Sequence, residues 1–136
     1  LAPTVATRRQ ALLAAMSAIQ EYERSLSHAF IPKLRQIPGV QVYGITEPDE
    51  FVWRTPTIGL RLAGYTPLEL ATALGDRGIF TWNGNFYAFN LIQRLGLDAN
   101  GGLLRIGLVH YNTLAEIERC LHVVHDLAMH AVAGAA

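Results

Sequence analysis

Residues 7–37, TRRQALLAAMSAIQEYERSLSHAFIPKLRQI, repeat apolar side chains at Leu12, Ala15, Met16, Ile19, Tyr22, Leu26, Phe30, Leu34 and Ile37. That recurrence is helical, and it predicts one long amphipathic helix over about 7–36. A stripe of this length cannot stay folded facing water alone; it needs a sheet or further helices to cover it. Pro32 removes one ladder hydrogen bond, so a bend is expected near Phe30. Pro38 and Gly39 then stop the helix.

Beyond Gly39 the period changes. VQVYGI (40–45) and TPTIGLRL (55–62) alternate as strands do, with Ile58, Leu60 and Leu62 on one face. Between them TEPDEFVWR reads as a polar loop whose aromatics, Phe51 and Trp53, look exposed. Thr66, Pro67 and Glu69 form a capping box that starts a helix over 67–76, with Gly78 as its left-handed terminator. A short strand is expected at 79–82, a sharp Asn-Gly-Asn turn at 83–85, a short helix ending at Gly96, and a strand at 103–109. Thr113 and Glu116 form a second capping box, and Leu114, Ile117, Leu121, Val124 and Ala128 give the last helix its buried stripe. The tail HAVAGAA is expected to fray. Mixed strands and helices without a regular βαβ repeat predict an α+β fold: a small, mainly antiparallel sheet of three to four strands, helices packed on one face, behind the long first helix.

At 136 residues the chain has the length of one domain, so 1–136 is read as a single unit. Acidic and basic residues balance at eleven each, so no overall field recruits nucleic acid or an anionic membrane. No apolar run has the length of a membrane span. A single cysteine, Cys120, cannot form an intramolecular disulfide, which together with the absence of a signal-like start reads as cytoplasmic. The first residue is not methionine, so Leu1 is not expected to be a natural start. There is one lysine, Lys33.

Two places could carry chemistry. Strand alternation puts Leu104, Ile106 and Leu108 into the core, and Leu103, Arg105, Gly107 and Val109 on the other side. Arg105 beside a residue without a side chain could meet a flat carboxylate with two parallel hydrogen bonds. It could equally form an ion pair within the fold or lie on a solvated sheet face. In WNGNFY (82–87), Trp82, Asn83, Asn85 and Tyr87 offer stacking surfaces and amide donors, or simply build a tight corner with Asn85 capping the next helix. His110, His122 and His125 lack the third ligand and supporting shell of a metal site.

The stretch LLRIGLVHYNTLAEIERCLHVV (103–124) resembles the C-terminal signature of class-V aminotransferases, fold-type I pyridoxal-phosphate enzymes that include cysteine desulfurases and selenocysteine lyases. There an arginine-bearing strand runs into a Tyr-Asn-Thr corner and a helix. GIFTWNGNFYAFNL resembles the family's strand-plus-loop, and PGVQVYGI and TPTIGLRLAGYTPLELATALGDRGI resemble its preceding strands and helix. The resemblance covers nearly the whole chain.

It implies a C-terminal small domain from a larger, homodimeric parent that acts on an amino-acid substrate. The family's N-terminal domain holds pyridoxal 5'-phosphate through a Schiff-base lysine, a stacking histidine and an aspartate. None of those motifs is present here, so this chain alone is expected to bind no cofactor and to be inactive. The resemblance places Arg105 at the arginine that receives the substrate α-carboxylate. In the desulfurase loop Gly-Ile-x-Val-Arg-x-Gly-x-x-Cys, counting from Gly78 puts Tyr87 at the persulfide-forming cysteine and Trp82 at the arginine. That substitution puts desulfurase chemistry in doubt and leaves lyase, epimerase or transaminase reactions open. The alternative is a stand-alone, non-catalytic α+β binding or dimerisation module, which would cover the apolar face of the first helix.

Overall fold

The computed structural model describes residues 7–134. Helix α1 spans Arg8–Leu34. Thr7 caps it, exchanging hydrogen bonds with Gln10, and the helix continues through Pro32. Strand β1 (Val40–Tyr43), a 3₁₀ turn (Pro48–Trp53) and strand β2 (Thr57–Leu62) come next. Helix α2 (Pro67–Gly75) starts at Thr66, whose hydroxyl accepts from the Glu69 N–H while the Glu69 carboxylate accepts from the Thr66 N–H. Strand β3 (Trp82–Gly84), helix α3 (Phe89–Arg94), a 3₁₀ turn (Asp98–Asn100), strand β4 (Leu103–Gly107) and helix α4 (Leu114–Gly134) complete the chain.

The four strands form one antiparallel sheet in the order β1-β2-β4-β3. One face is covered by α1, α2 and α4. Leu26, Phe30 and Leu34 from α1 meet Leu70 and Leu74 from α2, and Ile117, Leu121 and Val124 from α4, over Ile58, Leu60, Leu104 and Ile106. This is the expected α+β architecture. The opposite face is not bare: Leu103 packs there with Ile92 and Leu97, and Tyr43 and Phe86 lie against them. Short α3 and the turn after it cover that end of the sheet, because Leu103 alternates out of the main core and still needs burial.

Several local expectations are corrected. Phe51 is buried at 1% exposure, whereas Trp53 is exposed; the 3₁₀ turn folds Phe51 under α1, against His28 at 4.7 Å between ring centroids. The strand expected at 79–82 lies at Trp82–Gly84, so Asn83 and Gly84 extend the sheet and the turn moves to 85–88. Leu114 is exposed, and Cys120 and Leu127 join the buried stripe instead. Helix α4 continues to Gly134, so residues 130–134 of the tail are helical; residues 135–136 lie outside the described residues.

Candidate functional site

Strand β4 presents Arg105 on the sheet face opposite the three-helix layer. In register, Arg105 stands between Gly59 of β2 and Trp82 of β3. Gly107 lies two residues on, and a methyl group there would meet nothing within 4 Å. Of the two positions without side chains that flank Arg105, only Gly107 borders open space; at Gly59 the Leu103 Cδ1 already stands 3.2 Å from where a Cβ would sit. Its side chain is exposed. Among the described residues no carboxylate lies within ion-pair distance of it, and none of its guanidinium N–H groups makes a hydrogen bond. Its guanidinium carbon instead sits 4.6 Å from the centroid of the Phe86 ring.

The other strand arginine behaves differently. Arg61 of β2 donates to the carbonyls of Asn100 at 3.1 Å and Gly102 at 2.9 Å, tying the Asp98–Gly102 loop to the sheet. Arg54, Arg77 and Arg119 likewise donate to backbone carbonyls, Arg119 to those of Arg77 and Gly78 beyond α2.

Of the loop residues named from sequence, Trp82 pairs directly across from Arg105 on the same face and is exposed. Asn83 pairs with Leu104 and therefore belongs to the opposite face. Asn85 does not cap α3, whose first flanking residue is Ala88. Its side-chain oxygen accepts the Tyr87 N–H at 3.1 Å, and its carbonyl accepts the Ala88 N–H at 2.8 Å. Tyr87 is 94% exposed. Phe86, between them, is the site residue that sequence reasoning missed. Phe86 and Tyr87 both have positive φ (54° and 61°), a left-handed pair uncommon outside glycine. That local winding turns Phe86 back over β4, and no periodicity encodes it.

Lys33 and Cys120 both stand apart from Arg105. Lys33 is ion-paired to Glu118 and lies on α1, across the sheet from Arg105. Cys120 is buried on the core side of α4, where burial pushes its thiol up to about 11. Neither side chain reaches the Arg105 face. Among the described residues no group of three metal-ligating side chains comes together, and no helix is long and apolar enough to cross a membrane.

The sequence pattern of the aminotransferase class-V family matches residues 11–120. A probable cysteine desulfurase of Mycolicibacterium paratuberculosis is 34% identical over 110 residues, covering 81% of this chain and 15% of that protein. An aminotransferase-like protein of Gibberella zeae is 35% identical over 107 residues, covering 76% of this chain and 26% of that protein. The apo structure of a cysteine desulfurase from Thermococcus onnurineus superposes with a TM-score of 0.72 at 25% identity, over 82% of this chain and 26% of that one. The chain therefore spans about a quarter or less of these relatives' lengths.

Proposed function

The chain belongs to the class-V aminotransferase family, and on that footing we propose that it is the small C-terminal domain of a pyridoxal-phosphate-dependent enzyme of the cysteine-desulfurase-like group. Its task is to form one wall of the substrate pocket. Arg105 receives the α-carboxylate of an amino acid, and Trp82, Asn85 and Tyr87 form the rim. Asn83 pairs with Leu104 and so lies on the face opposite Arg105, outside this rim. The observation that carries this reading is an exposed strand arginine with all its guanidinium donors unspent, beside the open space at Gly107.

A guanidinium is a planar fork whose parallel N–H bonds match the two oxygens of a carboxylate. Fixing that carboxylate fixes the Cα beside it, and with it the direction of each bond that could break. Pyridoxal phosphate supplies the electron sink in this chemistry. It is assigned to the remainder of the parent, because the one lysine here is engaged elsewhere on the fold. Tyr87 offers no thiol, and Cys120 is buried on the far side of the sheet with its proton firmly held. The proposed reaction is therefore a lyase, epimerase or transaminase step that needs no thiol from this domain. A self-contained binding module would cover α1, but Leu12, Leu13 and Met16 stay exposed, which favours a domain docked on a larger body.

In the complete protein, Arg105→Ala should weaken amino-acid binding by roughly ten- to hundredfold, the loss of charge-assisted hydrogen bonds, with cofactor uptake unchanged. Equal amino-acid affinity in mutant and wild type would overturn the reading. Mixed alone with pyridoxal phosphate, this chain should give no stoichiometric lysine-linked adduct by mass spectrometry; one on Lys33 would contradict the assignment of the cofactor to the rest of the parent.

A further inference from the structure

We infer that Phe86 is a positioning residue for Arg105: its ring holds the guanidinium by one face and leaves every N–H free for the substrate's carboxylate. The inference rests on the reading of Arg105 above. Arginine can be held in place by a carboxylate, by backbone carbonyls or by an aromatic face. The first two spend donors, as Arg35 does on Glu47 and Arg61 does on Asn100 and Gly102. A carboxylate partner would also neutralise the charge that is to attract the ligand. Stacking does neither, because the ring quadrupole attracts the cation through its face while the donors lie at its edge. Among the strand arginines only Arg105 is held this way, 4.6 Å from the Phe86 centroid.

The ring is itself fixed. It packs against the cluster of Ile92, Leu97 and Leu103 under α3, beside Tyr43. Its backbone is wound left-handed together with Tyr87, and the Asn85 side chain and carbonyl brace the turn. Two consecutive bulky residues at positive φ are unfavourable, and such strain persists where the surrounding structure imposes it for a purpose. Here its effect is to bring an aromatic face over β4. An unsupported arginine would lose rotamer freedom when the carboxylate arrives; a stacked one has lost it on folding, so affinity improves.

The test uses the complete holoprotein and two probes, L-alanine and ethylamine, which share an amine and differ by the carboxylate. Phe86→Leu and Phe86→Met keep an apolar side chain for the α3 cluster and remove the π face. Either should weaken L-alanine binding by about fivefold and leave ethylamine binding unchanged, whereas Phe86→Tyr should bind both as the wild type does. The Met variant carries the test if the Leu variant does not fold. Wild-type L-alanine affinity in Phe86→Leu or Phe86→Met, equal losses for both probes, or no recovery in Phe86→Tyr overturns the inference. Arg105→Ala, run alongside, separates the two claims. If it loses L-alanine selectively while Phe86→Leu does not, Arg105 stands and Phe86 falls. If it binds L-alanine as well as wild type does, the reading of Arg105 falls with it.

Discussion

At the scale of single residues, chemistry here is decided by what a side chain has left to give. Arg61 and Arg105 stand on neighbouring strands and face the same side of the sheet. One is consumed by two loop carbonyls, the other keeps its donors. Cys120 is the reverse case, a reactive type rendered inert by its place in the core. Burial penalises its thiolate, so the folded protein holds the thiol proton up to about 11, whereas the unfolded chain releases it near the ordinary thiol range. Below that ordinary range both states keep the proton and Cys120 has no effect on stability; from there through about 11 the unfolded chain ionises first, so stability falls as pH rises. Cys120 should resist iodoacetamide in the native protein near neutral pH and react after denaturation. In unfolding titrations, Cys120→Ala should reduce the alkaline loss of stability. Rapid native labelling would contradict this placement.

At the scale of elements, the site depends on how closely β3 approaches the start of β4. Gly102 has φ +76°, and a Cβ there would stand 2.3 Å from the Gly84 carbonyl oxygen, backbone against backbone. Gly102→Ala should push β3 and the 85–88 turn away from β4, lowering stability by roughly 1–3 kcal/mol and carrying Phe86 off Arg105. Gly107→Ala meets nothing within 4 Å. It should leave the denaturation midpoint nearly unchanged while weakening amino-acid binding by placing a methyl group in the open space beside Arg105. Denaturant unfolding with parallel amino-acid titrations checks both, and a costly Gly107→Ala beside a harmless Gly102→Ala would refute the geometry.

The same elements mark what could be read from sequence. Helices α2 and α4 were legible because each carries a capping box that forms, Thr66 with Glu69 and Thr113 with Glu116. Strands β2 and β4 were legible because Ile58, Leu60, Leu104 and Ile106 alternate into one core. Residues 79–88 were not, since β3 has three residues and its place is set by pairing with β4, a distant contact that local pattern does not record. Arg105 could be named from alternation and Gly107, but its neighbour Phe86 depends on two left-handed residues that only tertiary packing imposes. Phe51 escaped for the same reason: its burial depends on α1 passing over the 3₁₀ turn.

On the scale of the whole molecule, the sheet separates structure from proposed function. The core face is filled by three helices, and the other carries exposed Trp82 and Arg105 beside the open space at Gly107, next to the small cluster of Ile92, Leu97 and Leu103. The first turns of α1 extend beyond the core with Leu12, Leu13 and Met16 exposed. Both unfinished surfaces agree with a chain that spans 15% and 26% of two relatives it matches. The most direct test is a crystal structure of the complete protein with an amino acid bound. Its α-carboxylate oxygens should lie about 2.7–2.9 Å from the Arg105 guanidinium nitrogens, with the guanidinium still stacked on Phe86. A carboxylate held by other residues, with Arg105 turned to solvent, would contradict the assignment.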